Sequence, residues 1–242
     1  MITASSSPKI SSRPANKVGH RWFRGLAFIF ALMLACQAFW ILAAEFSRPL
    51  PVTFPAGSES GAVAAADRSA THRAAQFGVI RGDLWAEEAL TYSGLLQRNE
   101  QNTTGTKDAA SIERARVIAE RALAFRPHDA RVWLVLAGID SRFDWLNGKA
   151  SAALRMSYYT GANEIALIPE RLFLSLSLPA ISDADFQQLV RHDLRTIVTR
   201  KPEMKSAIVN AYQYALPEGR QFTRETLNEL DPNLLSNLLQ KQ

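Results

Sequence analysis

The string SYYTGANE, Ser157–Glu164, brings together side chains that could hold a ligand. Aromatic rings, an amide and a carboxylate are groups that bind sugars and peptides in protein sites. The candidate partner-binding residues are Tyr158, Tyr159, Asn163 and Glu164. The same string also fits the end of a helix, with Gly161 as the cap and both tyrosines half packed. The sequence leaves both interpretations open.

Catalytic patterns are weaker than this string. The histidines lack HExxH or paired spacing, and no GxSxG, P-loop or GxGxxG motif occurs, so we expect neither a metal nor a cofactor. A glycan-modifying enzyme would need two carboxylates in one cleft. The candidates, which no motif supports, are Glu87, Glu88, Asp140 and Asp144. We expect a protein that is not an enzyme, with a helical glycan-modifying or glycan-binding enzyme as the alternative.

The string RHDLR, Arg191–Arg195, adds a run of charge to a predicted helix. The other face of this helix carries an apolar series that includes Phe186, Val190 and Leu194. Polar residues opposite such a series are typical of a helix face in contact with water. We therefore interpret RHDLR as a solvated face.

The positive charge of the chain is concentrated at its N-terminus. The net charge is +5, from 28 basic and 23 acidic residues. Residues 1–24 contain five of the basic residues and no acidic one, so the rest of the chain is formally neutral, with 23 of each. A nucleic-acid-binding protein carries its excess positive charge on the folded domain. We therefore expect no nucleic-acid partner.

The segment Gly25–Ala44 contains 20 residues without a charge. A helix of this length spans about 30 Å, the thickness of the hydrocarbon core of a bilayer. The basic residues before it predict a cytoplasmic N-terminus, an inner-membrane anchor and a periplasmic C-terminal domain. A cleaved signal peptide is one alternative. A lipoprotein signal ending at Cys36 is another, because MLAC weakly resembles a lipobox.

The rest of the chain predicts an all-α protein. Pro, Gly, Ala and Ser are frequent between Ser47 and Arg73, which predicts a flexible tether whose Ala-rich end could extend the first helix of the domain. From Ala75 onward the apolar spacing is helical and no stretch alternates as a strand does, so we expect roughly eight helices. The predicted divisions are a basic tail (1–24), a transmembrane helix (25–46), a linker (47–74) and a helical domain (75–242).

Helix boundaries in the domain are predicted from capping residues and prolines. Ser182 with Asp185 forms an acidic capping box, and Thr223 marks another helix start. Pro169 and Pro202 suit the first turn of a helix. The string DPNLLSNLLQ, from Asp231, predicts a short terminal helix.

Small residues and aromatics in the first half of the domain follow an ordered series. Ala115, Ala119 and Ala122 share one helix face, Pro127 follows, and Trp133 opens the next helix. This order resembles the tetratricopeptide repeat, in which small residues let two antiparallel helices approach closely. The matching core positions are Trp85, Ala89, Tyr92, Ala115, Ala119, Ala122, Pro127, Trp133, Leu136, Ala137, Ala150 and Leu154. The resemblance covers about residues 82–161 and makes the turn at Pro127 a packing joint.

The resemblance implies a scaffold or adaptor, because stacked helical hairpins form grooves that bind other proteins. An anchor followed by degenerate repeats is similar to accessory proteins of exopolysaccharide or cell-envelope biosynthesis, and to assembly factors such as those of cytochrome maturation. The expected partners are the membrane and envelope proteins, with glycan contact as a further expectation. The sequence does not name the partner.

Overall fold

The structure, a computed structural model, describes residues 17–48, 61–93, 106–143 and 148–232. These residues form ten α-helices and no β-strand. The helices are α1 (Lys17–Phe46), α2 (Gly61–Phe77), α3 (Gly82–Leu90), α4 (Thr106–Phe125), α5 (Ala130–Phe143), α6 (Lys149–Thr160), α7 (Ile168–Ser177), α8 (Ala184–Arg200), α9 (Lys205–Tyr214) and α10 (Pro217–Leu230). The predicted all-α fold is therefore confirmed, and eight of these helices follow Phe77.

The chain divides into two compact units, Met1–Ala43 and Ala44–Gln242. In the first unit, helix α1 begins at Lys17, so the last eight residues of the predicted basic tail are helical. Its segment Trp22–Phe46 is long and apolar enough to cross a membrane. A 25-residue helix rises about 37 Å, which exceeds the hydrocarbon core of a bilayer.

The second half of the predicted linker is helical, which is the alternative that its Ala-rich end left open. Residues 61–74 belong to α2, which packs against α3, and Thr71, Ala74 and Ala75 are buried. The physical reason is composition, because alanine is the best helix former and its small side chain lets two helices approach closely. Residues 49–60 of the predicted linker lie outside the described residues.

Helices α2 to α6 follow one another in space as they do along the chain, each contacting the next. The alanine face of α4 is fully buried between α3 and α5. The turn between α4 and α5 is fixed by Asp129, whose carboxylate accepts a hydrogen bond from the Arg131 backbone N–H at 3.2 Å. The carbonyl of Pro127 accepts a hydrogen bond from the Trp133 indole at 2.6 Å. The turn is thus a packing joint between two contacting helices.

Helices α7 to α10 form the second half of the domain around α7, which contacts the other three. Pro169 lies in the first turn of α7, as predicted. Pro202 opens a short 3₁₀ helix that leads into α9. The backbone N–H of Leu216 donates to the carbonyl of Leu176 at 2.9 Å, which ties the start of α10 to the end of α7.

Two predicted helix starts are wrong. Helix α8 is capped by Asp183, whose carboxylate accepts from the N–H groups of Asp185 and Phe186, whereas Ser182 ends a 3₁₀ helix. A charged aspartate at the N-cap interacts favourably with the positive end of the helix dipole, which the neutral Ser182 does not. Thr223 lies inside α10, where its hydroxyl donates to the Gly219 carbonyl. The predicted terminal helix extends beyond residue 232 and lies outside the described residues.

Candidate functional site

The end of α6 is held by a buried arginine on α7. Arg171 is fully buried, and its Nη1 donates to the Gly161 carbonyl at 2.9 Å. Its Nε donates to the Ser157 hydroxyl at 3.0 Å, and its Nη2 donates to the Ser157 carbonyl. Each of these carbonyls also accepts one backbone N–H, and the guanidinium supplies a second donor to each. Carbonyls at the C-terminus of a helix carry partial negative charge, which a buried cation stabilises. Arg171 therefore fixes the position of the turn between α6 and α7.

Gly161 is required at this turn by a close approach. A Cβ atom placed on it would collide with the Ala130 side chain and would lie 3.1 Å from the Arg171 guanidinium. The turn continues with a hydrogen bond from the Glu164 N–H to the Gly161 carbonyl at 3.0 Å. Gly161 is the residue after α6, as the helix-end interpretation predicted.

A polar network surrounds Arg171 inside the domain. The guanidinium lies 5.0 Å from the ring centroid of Tyr158, and the Tyr158 hydroxyl is 3.1 Å from the Ser175 hydroxyl. The rings of Tyr158 and of Phe186 on α8 are nearly perpendicular, with centroids 5.8 Å apart. Burial lowers the pKa of Arg171 and raises the pKa of Tyr158 well above its ordinary value. These contacts join α6, α7 and α8.

Asp193 of α8 completes this network. Its side chain is 1% exposed, and burial raises its pKa to about 7, against the opposing effects of Arg171 and the Tyr158 hydroxyl. Its Oδ2 atom has no hydrogen-bond partner among the described residues. The interpretation of RHDLR as a solvated face is therefore wrong at Asp193, although His192 and Arg195 are exposed. Asp193 lies three residues after Val190 and seven after Phe186, which is core spacing.

The predicted partner-binding residues divide into a buried one and three exposed ones. Tyr158 is 3% exposed, so its side chain belongs to the interior and is not available to a partner. Tyr159 is 64% exposed, and Asn163 and Glu164 are exposed at the turn. Ile165, 40% exposed, lies beside them in a short 3₁₀ helix, Ile165–Leu167. We call Tyr159, Asn163, Glu164 and Ile165 the corner surface.

Three of the four carboxylates considered for catalysis bind a basic side chain. Glu87 accepts from Arg48 Nε at 2.8 Å, Glu88 binds His72 Nδ1 at 2.7 Å, and Asp140 accepts from Arg116 at 2.5 Å. Asp144 lies outside the described residues. No group of three or more metal-ligating side chains occurs in the part of the chain that the structure describes.

The residues predicted as repeat core are distributed as follows. Those of α3, α4 and α6, with Tyr92 just after α3, are buried: Trp85, Ala89, Tyr92, Ala115, Ala119, Ala122, Ala150 and Leu154. On α5, Leu136 and Ala137 are buried and Trp133 is half-buried. Pro127 is exposed, because it lies at the tip of the turn.

Sequence reasoning missed three charged residues of this region. Arg171 lies three residues after Ile168 and four before Ser175, both buried, and this spacing is the signal for its burial. Asp193 carries the equivalent signal on α8. Glu170 is half-buried, and burial raises its pKa to about 7. No pattern in the sequence marks Glu170.

The polar network around Arg171 is suited to fixing the position of the corner surface, since its buried polar groups stabilise backbone and aromatic groups.

Comparisons of the chain with protein-family models, with curated protein sequences and with solved structures find no match.

Proposed function

We propose that this protein is a membrane-anchored scaffold whose helical domain lies outside the cytoplasm and binds a protein partner through the corner surface. The observation that carries this proposal is the lock by Arg171, whose three hydrogen bonds hold the end of α6 beneath Tyr159. An exposed surface on a fixed backbone loses little conformational freedom when it binds, and this favours affinity.

The composition of the corner surface also favours a protein partner. Tyrosine is enriched among the residues that dominate binding energy at protein interfaces, where polar neighbours exclude water. Tyr159 supplies the exposed ring, Ile165 a partly exposed apolar side chain, and Asn163 and Glu164 the polar groups. The pKa of Arg131 is raised mainly by its hydrogen bond to Asp129, with a smaller contribution from Glu164, so a positive charge lies near the acidic side of the corner surface.

The tetratricopeptide resemblance belongs to the same proposal. Support comes from the sequential contacts of α3 to α6 and from the buried alanine face of α4. Such an architecture offers extended surfaces to other proteins. Envelope proteins, in particular those of polysaccharide or cell-envelope biosynthesis, are the partner class that the resemblance implies.

The location follows from α1 and the charge that precedes it. The five basic residues before Gly25 favour a cytoplasmic N-terminus, so a single span would place residues 47–242 in the periplasm. Two fusions after Gln242 test this, one to a phosphatase active only outside the cytoplasm and one to a fluorescent protein that matures only inside it. Phosphatase activity without fluorescence is expected, and the reverse pattern would reject the location.

Partner binding is tested by purifying the full-length chain from its own cells and quantifying the proteins that accompany it. Tyr159→Ala together with Glu164→Ala should deplete at least one partner about tenfold, which corresponds to about 1.4 kcal/mol of binding energy. Tyr214→Ala, which removes another partly exposed tyrosine, is the matched control and should leave that partner in place. An unchanged protein profile for the double variant would reject the corner surface as the binding site.

A further inference from the structure

The turn between α2 and α3 presents two consecutive apolar side chains to solvent. Val79 is 49% exposed and Ile80 is 80% exposed. Two hydrogen bonds fix the backbone of this turn. The Trp85 indole donates to the Val79 carbonyl at 3.2 Å, and the Gly78 N–H donates to the Ala74 carbonyl at 2.9 Å. Moving these side chains from water into an apolar environment would be favourable.

The same turn lies beside the end of the apolar span. Arg81, the residue after Ile80, donates through Nη1 to Glu45 Oε2 at 2.9 Å. Glu45 is the residue before the last one of the span Trp22–Phe46. Phe46 itself is 87% exposed. The ion pair thus joins Glu45, which precedes Phe46, to Arg81, which follows Val79 and Ile80. We call Phe46, Val79 and Ile80 the apolar tip.

Further ion pairs reinforce this junction. Arg48 binds Glu87 of α3 and also Glu45, at 3.2 Å. Arg81 pairs with Asp83 at 2.6 Å. Alternating acidic and basic groups thus connect residues 45–48 to the start of α3. Arginine side chains at such a position can also reach lipid phosphates while their stems cover apolar surface.

We infer that the apolar tip enters the interface of the same bilayer that α1 spans, so that the domain contacts the membrane at a second point. We expect lipid to cover the apolar tip, because the ion pair between Arg81 and Glu45 brings Ile80 close to the end of the span at Phe46. Apolar side chains at an interface lie about 5–10 Å deep, among headgroups and the first acyl carbons. This inference rests on the proposed anchor, and its failure can be distinguished from failure of the anchor.

The test uses the full-length chain in vesicles of phosphatidylcholine and phosphatidylglycerol. The single cysteine is removed by Cys36→Ala, and Ile80→Cys then carries an environment-sensitive fluorophore. Nitroxide groups on lipids near the headgroup should lower its emission about twofold, as expected for a probe about 5–10 Å deep, and aqueous iodide should quench it weakly. Strong iodide quenching without lipid quenching would overturn the inference.

Two further positions make the result specific. Val117→Cys on α4 is the matched control, because Val117 is 54% exposed and, like Ile80, is a β-branched apolar residue of the domain. Its probe should respond to iodide and not to lipid nitroxide, and equal lipid quenching at both positions would overturn the assignment to the apolar tip. Phe39→Cys reports on the span itself. Lipid quenching at 39 with none at 80 rejects the second contact alone, and none at either position rejects the anchor as well.

Discussion

Replacing Asp193 with asparagine should change the pH dependence of stability. Burial raises the pKa of this carboxyl from 3.8 to about 7 in the folded chain. The unfolded chain releases the proton near pH 3.8, so the folded chain binds more protons between pH 4 and 7. Stability due to this group is therefore lost as the pH rises through that window, and it is constant above it.

The magnitude follows from the two pKa values. A tenfold change in proton affinity is worth about 1.4 kcal/mol, so the full effect of Asp193 is about 4 kcal/mol. Between pH 5 and pH 8, the free energy of unfolding should fall by about 2–3 kcal/mol because of Asp193. Asp193→Asn keeps the shape of the side chain but does not ionise, so this variant should lose that much less stability over the same interval.

The assay is urea unfolding of the full chain in mild detergent at pH 5 and pH 8, followed by circular dichroism. Asp185→Asn is the matched control, because Asp185 is exposed on the same helix. It should keep the pH dependence of the unmodified chain. Equal loss of stability with pH in the unmodified chain and in Asp193→Asn would refute the reasoning that this carboxyl is buried and protonated at pH 5.

Three other substitutions should lower the free energy of unfolding in the same assay. Arg171→Met should cost about 3–5 kcal/mol, because it removes three buried hydrogen bonds from a charged donor to Ser157 and Gly161; a cost below 1 kcal/mol would reject the lock. Trp133→Ala should cost about 2 kcal/mol, less than a fully buried aromatic, because its ring is half-buried. Gly219→Ala should cost about 1–3 kcal/mol, because its Cβ would lie 2.5 Å from the Leu176 carbonyl oxygen, and backbone at that point cannot move cheaply.

The general architecture could be predicted because it depends on local pattern. Twenty uncharged residues from Gly25 indicate a helix able to span a bilayer, wherever the rest of the chain lies. Helical spacing of apolar residues likewise predicts the all-α domain, and the turn at Pro127 follows from proline chemistry. These features need no knowledge of tertiary contacts.

The candidate site could be predicted only in part because its buried groups meet across long separations. Ser157 and Arg171 are 14 residues apart, and the Tyr158 hydroxyl meets Ser175 over 17. Whether a tyrosine at the end of a helix faces water depends on such a partner. Helix geometry separates the directions of Tyr158 and Tyr159 by about 100°. The sequence alone does not show which of the two is buried.

Photo-crosslinking in intact cells tests the central claim most directly. The photoreactive benzoylphenylalanine replaces Tyr159 in one full-length chain and Tyr214 in another. We predict that position 159 yields a discrete crosslinked product with an envelope protein and that position 214 does not yield this product. Absence of a product at 159, or the same product from both positions, would contradict a scaffold that binds its partner through the end of α6.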